Sequence, residues 1–296
     1  MVGLLACAKR SAPPQRETAP PQASTPVPPP KAAGPLPAVS ALLDVQAEKE
    51  ATVVAFIEGS VWKDASVAGR APLEALLKRG APYRLFPTGA SGSAPVVDGA
   101  LSGKLREQCG AFYAELAGPV ANQGYAAVST VRSADVIAAI PLEPAKIEPR
   151  DATAVAAVIR GAAGIKIVPK IERAFRVDLD GDGQPETLFQ TTHPDLLGDP
   201  PKYKRQYYSL VVVGPGGEGE PAFAGYLQAS REFAQFEVLT IDSVADVDRD
   251  GKRELLVRAR HAEGWQTQVF GYDGKKLIER FRSASGERDC GAGAGE

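Results

Sequence analysis

Asp178-Leu179-Asp180-Gly181-Asp182-Gly183-Gln184-Pro185-Glu186 and Asp246-Val247-Asp248-Arg249-Asp250-Gly251-Lys252-Arg253-Glu254 are two copies of one pattern, D-x-D-x-D-G-x-x-E, 68 positions apart. Without a gap, Asp178, Asp180, Asp182, Gly183, Glu186 and Leu188 fall on Asp246, Asp248, Asp250, Gly251, Glu254 and Leu256, and Leu179 falls on Val247. Carboxylates on alternate residues of a tight turn can converge on one point. Glycine at position 6 permits the sharp bend, and position 7 offers its backbone carbonyl. Calcium takes six to eight oxygen ligands at ~2.3–2.6 Å, which is the demand such a loop meets. The candidate ligands are Asp178, Asp180, Asp182 and Glu186 with the carbonyl of Gln184, and Asp246, Asp248, Asp250 and Glu254 with the carbonyl of Lys252, giving two Ca2+ sites. A plain acidic turn is the competing reading. Against it, each like pair at ~4 Å costs up to ~4 kcal/mol at an effective dielectric of ~20, and two loops would carry that repulsion without a counter-ion. Arg249 and Arg253 partly offset the charge in the second copy.

An EF-hand requires a bidentate glutamate at loop position 12 and helices on either side. Position 12 is Phe189 in one copy and Val257 in the other, and the residues after each loop are strand-like. With the acid at position 9 and a strand afterwards, residues 165–283 resemble the calcium-loop repeats of the FG-GAP/VCBS type found in integrin-like β-propellers. That resemblance implies one ion per loop and one small sheet per repeat. Propellers close with roughly 4–8 blades, so two repeats imply a blade-like β unit and not a closed propeller.

Strand signals surround the loops. Ile165–Val168 and Ala174–Val177 precede the first, and Thr187–Thr192, Gln206–Val213, Ala222–Gln228 and Phe236–Ile241 lie between the two. Leu255–Arg260, Gln266–Phe270 and Lys276–Phe281 come after the second, the last two joined by a Gly271-Tyr272-Asp273-Gly274 hairpin signal. Residues 41–145 read as a small α+β domain, with strands at Ala51–Glu58 and Tyr83–Phe86 and a helix over Pro72–Arg79 that Gly80 stops. Ala111–Leu116 and Tyr125–Val131 are further short elements. Residues 146–164 form a linker with a short helix that Asp151 caps and Gly161 ends. The fold class is α+β overall, mainly β in the C-terminal half.

Residues 1–7 end in Leu4-Leu5-Ala6-Cys7, which resembles a bacterial lipobox behind a truncated leader; it implies lipid attachment at Cys7. Residues 8–40 carry ten prolines and read as a disordered, extended tether. Residues 284–296 read as a disordered tail. Cysteine, tether and folded domains in that order are the layout of an exported lipoprotein of the outer membrane or cell surface. Cys109 and Cys290 could pair there.

A net charge of −2 gives no basic excess for nucleic acid, and no apolar run reaches the ~18 residues of a membrane span. The membrane is reached only through the lipid anchor. Gly214-Pro215-Gly216-Gly217-Glu218-Gly219 fits a dinucleotide fingerprint, but Pro215 and its successors read as turn and strand, not the required helix start. Ser60-Val61-Trp62-Lys63 fits S-x-x-K without its companion motifs. His193 and His261 lie outside any zinc spacing and read as surface or turn residues. Trp62, Trp265, Tyr203, Tyr207 and Tyr208 could line a sugar-binding face, though aromatics in β domains are more often core.

The sequence therefore predicts a calcium-binding, non-enzymatic cell-envelope lipoprotein with a structural or interaction role, its partner a protein or polysaccharide at the cell surface. The alternatives are a calcium-dependent adhesin or carbohydrate-binding module, and a secreted hydrolase with its site in residues 41–145.

Overall fold

The computed structural model describes residues 39–47, 49–87, 97–121, 123–129, 142–193, 207–214, 224–230, 237–248, 250–261 and 264–283. Residues 1–38, 284–296, Cys7, Cys290, Tyr203 and most of the glycine-rich 214–219 segment lie outside them.

The first half is a barrel. Its elements are β1 (Val39–Ala47), β2 (Glu50–Glu58), β3 (Val61–Asp64), α1 (Ala65–Ala68), α2 (Arg70–Leu76), β4 (Pro82–Pro87), β5 (Val97–Gln108), β6 (Ala111–Leu116) and β7 (Gly124–Ser129). The order β1-β7-β4-β5-β6-β2 closes through β1–β2, all pairs antiparallel, and β3 extends from β2. Closure removes the exposed edges that a six-strand sheet would otherwise present. Side chains alternate across the wall: Ala41, Leu43 and Val45 of β1 enter the barrel core, whereas Leu42 and Asp44 face out. Ala65, Leu73 and Leu76 of the two short helices join that core.

The expected α+β class, mainly β, holds coarsely; in finer form the expected small α+β domain is a closed β-barrel carrying two short helices. Three of its strands have no clear sequence signal. β1 begins at Val39, inside the segment assigned to the tether, and Asp44 interrupts its apolar pattern. β3 is short and exposed to half-buried. β5 is mostly exposed and bulged between Leu101 and Leu105, with Gly103 at φ 86° packed against the Arg79 backbone. Ser60-Val61-Trp62-Lys63 is the β2–β3 hairpin, in which Lys63 pairs with Glu58 at 3.0 Å. Cys109 and Gly110 both have positive φ (54° and 73°) at the two-residue β5–β6 turn, as a type I′ hairpin requires. Cys109 is disulfide-bonded.

The second half holds β8 (Glu143–Pro144), α3 (Pro149–Ala163), β9 (Arg173–Val177), β10 (Glu186–Thr192), β11 (Tyr207–Gly214), β12 (Ala224–Ser230), β13 (Val238–Ala245), β14 (Glu254–His261), β15 (Gly264–Tyr272) and β16 (Leu277–Arg282). Two antiparallel sheets result, β12-β11-β10-β9-β8 and β13-β14-β15-β16. Each contains a four-strand meander in which an acidic loop joins the first strand to the second. Residues 164–172, where a strand was expected at Ile165–Val168, are irregular. α3 starts at Pro149, where the Glu148 N–H donates to Asp151 Oδ2 at 2.7 Å, and ends at Gly164 in the left-handed region (φ 70°).

The layers explain why two sheets suffice. Phe175, Val177, Leu188, Val211 and Val213 of one sheet pack on Leu239, Ile241, Leu255, Val257, Ala259 and Phe270 of the other. The far face of the second sheet (Ala245, Leu256, Val269, Phe281) packs on Leu42, Val54, Ala55, Ile57, Tyr125 and Ala127 of the barrel wall. The far face of the first sheet (Ala174, Phe189, Tyr208) packs on Val155 and Ile159 of α3. In a propeller every blade lies between two others; here barrel and helix cover the outer faces. The edge strand β13 is blocked as well: its Leu239 and Ile241 N–H groups donate to Ser209 Oγ and Gln190 Oε1 at 2.9 Å each. His193, read as a surface or turn residue, follows β10 directly and is buried edge-on against Tyr208 at 5.3 Å. Among the described residues no helix is long and apolar enough to cross a membrane.

Candidate metal centre

The two acidic loops occupy the β9–β10 and β13–β14 bends and fold alike. In the first, Gly183 N–H donates to Asp178 Oδ2 (3.2 Å), Asp182 N–H to Asp180 Oδ1 (3.2 Å), Gln184 N–H to Asp182 Oδ1 (2.7 Å) and Leu179 N–H to Glu186 Oε2 (2.7 Å). In the second, Gly251 N–H donates to Asp246 Oδ2 (3.2 Å), Asp250 N–H to Asp248 Oδ1 (3.2 Å), Lys252 N–H to Asp250 Oδ1 (2.8 Å) and Val247 N–H to Glu254 Oε2 (2.7 Å). These four bonds are the same position for position; in the first loop Gly181 N–H also donates to Asp178 Oδ1 at 2.8 Å, and its counterpart Arg249 lies outside the described residues. Gly183 and Gly251 reach φ 87° and 85°, which the bend needs and a side chain would strain.

These bonds turn the carboxylates inward. Ligand atoms of Asp178, Asp180 and Glu186 lie within 4.8 Å of one another, as do those of Asp246, Asp248 and Asp250. Asp182, exposed and capping Gln184, stands outside the first group, and Glu254 stands outside the second. Gln184 and Lys252 are exposed at the turn. Either group could hold a metal ion.

The glutamates form the floor of each loop. Both are buried, and burial is the main reason their carboxyls are pushed up, Glu186 to about 7 and Glu254 to about 9. Asp180 and Asp178 raise Glu186 further, and Asp248, Asp246 and Asp250 raise Glu254, against the opposing hydrogen bonds from Leu179 and Val247. Asp248 is likewise raised, first by burial and then by Asp250. A divalent cation among these oxygens would favour their ionised forms and so oppose these shifts.

The loops also touch. Arg253 N–H donates to Leu179 O at 2.9 Å, and the Arg253 guanidinium donates to Asp178 O and stands 3.5 Å from Asp178 Oδ2. A Cβ on Gly181 would come within 3.0 Å of Gly251 O. On its other side the second loop meets the barrel, with Val247 in the shared core and Ser40 Oγ donating to Val247 O at 3.5 Å.

A second polar centre has no counterpart among the sequence-based expectations. Asp44 on β1, Asp242 on β13 and Arg258 on β14 are brought together between barrel and sheet. Arg258 Nε donates to Asp242 Oδ2 at 2.7 Å and Nη2 to Asp44 Oδ1 at 3.2 Å. Trp265 Nε1 donates to Asp44 Oδ2 at 3.2 Å, and the Tyr125 and Thr267 hydroxyls bond at 3.0 Å. A signal for it exists in the chain: each of the three charged residues sits mid-strand among apolar neighbours, in LLDVQ, LTIDSVA and LLVRAR.

No protein-family model, curated protein or solved structure matches this chain.

Proposed function

We propose that this chain is a calcium-stabilised, non-enzymatic scaffold of the bacterial cell envelope, tethered through a lipid on Cys7 and built on two FG-GAP/VCBS-like repeats. The observation that carries the reading is the pair of loops that share a hydrogen-bond scheme at equivalent bends and bring three carboxylates each within 4.8 Å of one another. Asp178, Asp180, Asp182 and Glu186 would hold one ion and Asp246, Asp248, Asp250 and Glu254 the other, with the Gln184 and Lys252 carbonyls completing each shell. The ions would supply charge compensation and fix the bends between strands; in the second loop that also fixes the junction with the barrel. Extracellular calcium modules bind at roughly 10⁻⁴–10⁻³ M, so the scaffold would be firm outside the cell and loose without the ion. The disulfide at Cys109 supports an exported location.

A structural role is favoured over a sugar-binding face because the described tryptophans are committed to the barrel junction. Trp62 packs on Phe281 at 5.9 Å and Trp265 bonds Asp44. In the charged groove of the barrel, Arg106 pairs with Glu50 (2.8 Å) and Lys104 with Glu115 (3.0 Å), an arrangement of mutual neutralisation.

Terbium, a luminescent stand-in for calcium, tests the reading. Its emission under aromatic excitation should rise with the full chain and be displaced by calcium but not by equal magnesium. Displacement by magnesium at the same concentration would reject calcium as the resident ion.

The pH dependence has a definite sign. A raised acid adds stability below its ordinary value that is lost as pH climbs through the shifted one. In chelator, the contributions of Glu186 and Glu254 are present near pH 4.5 and vanish through about 7 and about 9. Calcium binds the ionised form, so the melting gap between calcium and chelator should widen from pH 5 to pH 8.5. Melts at both pH values check this, and a constant gap would contradict it.

A further inference from the structure

Resting on the calcium reading above, we infer that the two sites are coupled, and that Arg253 is the coupling residue through which filling the second loop tightens the first. Arg253 is position 8 of the second loop, between Lys252 and Glu254, the proposed position-7 and position-9 ligands. An ion in that loop therefore fixes its backbone. From there it acts on the opening residues of the other loop at two points: its N–H holds Leu179 O at 2.9 Å, and its guanidinium holds Asp178 O while standing 3.5 Å from the Asp178 carboxylate. Asp178 is the first ligand of the first loop, and Leu179 donates the hydrogen bond that orients its floor residue Glu186. Ordering Arg253 thus orders both ends of the first ligand set before its ion arrives. The close approach of Gly181 to Gly251 O leaves the loops little room to shift independently.

The repeat itself marks the direction. The residue equivalent to Arg253 in the first loop is Pro185, which has neither an N–H nor a charge to reach onward. Linkage requires the effect to be reciprocal in affinity although the structural lever belongs to one loop.

Calorimetric titration of the full chain tests this with calcium alone. Asp248→Asn/Asp250→Asn reports the first loop with the second empty, and Asp180→Asn/Asp182→Asn reports the reverse; asparagine keeps the Oδ1 acceptors that shape each turn. The product of the two wild-type binding constants should exceed the product of the single-loop constants by about 5-fold or more, the lower bound of typical allosteric coupling. Arg253→Gln removes the guanidinium contacts to Asp178 and keeps the backbone bond to Leu179, so in it the excess should shrink by about 2-fold or more while both loops still bind. Two ions bound with no excess in the wild type would overturn the coupling, and an undiminished excess in Arg253→Gln would overturn the role of the Arg253 side chain in it; either result leaves the calcium reading standing. No heat from any form at millimolar calcium would overturn both.

Discussion

Arg258→Ala should lower the stability of the folded chain by about 3–5 kcal/mol, the cost of breaking a buried ion pair from one side. Near this chain length that is a drop of roughly 10 °C in melting temperature. Arg258 is the cation between two buried carboxylates, 2.7 Å from Asp242 and 3.2 Å from Asp44, and its plane lies near the rings of Tyr125 and Trp265 at 5.6 and 5.9 Å. Burial already raises Asp242, with Arg258 opposing the shift. Without the guanidinium both acids remain in the junction facing each other. The charge-free combination Asp44→Asn/Asp242→Asn/Arg258→Met keeps an acceptor for Trp265 and leaves no uncompensated charge, so it should recover most of the loss. Urea or thermal unfolding of the three forms decides this. A single variant as stable as wild type would show that the network does not bind barrel to sheet, and a triple variant as unstable as Arg258→Ala would show that the loss comes from the missing contacts and not from unpaired charge.

Calcium should have an effect of similar size. One site at 100 times its Kd contributes about 2.7 kcal/mol, so two contribute roughly 5, a large share of the ~5–15 kcal/mol that holds a domain together. The melting temperature in saturating calcium should exceed that in chelator by roughly 10 °C or more. Both tryptophans lie at the barrel–sheet junction, so their fluorescence follows the part of the molecule that the second loop braces. Asp180→Asn/Asp248→Asn removes one charge at the same place in each loop and should collapse the gap to a few degrees. An undiminished gap in that variant would place the calcium effect elsewhere in the chain.

The acidic repeat was legible because its signals are local. Six identities at a fixed offset, a glycine at the bend and strands on either side need no tertiary information, and the structure gives both copies four equivalent bonds. β9, β10, β13, β14 and β15 were legible because one or both faces are buried and apolar; β8 was not read as a strand, and Ile165–Val168, expected as one, is irregular. Closure of the barrel was not. It depends on pairing β1 with both β2 and β7, across as many as 90 residues, and Asp44 makes β1 read as a broken run. β5 alternates poorly because most of it faces solvent. Mid-strand charges such as Asp44, Asp242 and Arg258 read as surface residues until the partner strands are known. The roles of the loop acids were half legible: Asp178, Asp180 and Glu186 converge in one loop and Asp246, Asp248 and Asp250 in the other, while Asp182 caps the turn and Glu254 stands apart as a buried floor, a division that spacing alone does not reveal.

The most direct test of the central claim is the number of calcium ions held per chain. Equilibrium dialysis of the full chain against radioactive calcium at ~10⁻³ M, a concentration typical of extracellular modules, should find two ions in the wild type. It should find one in Asp180→Asn/Asp182→Asn, one in Asp248→Asn/Asp250→Asn, and none when the four substitutions are combined. A wild-type chain that retains no calcium, or a four-fold variant that retains as much as wild type, would contradict the account.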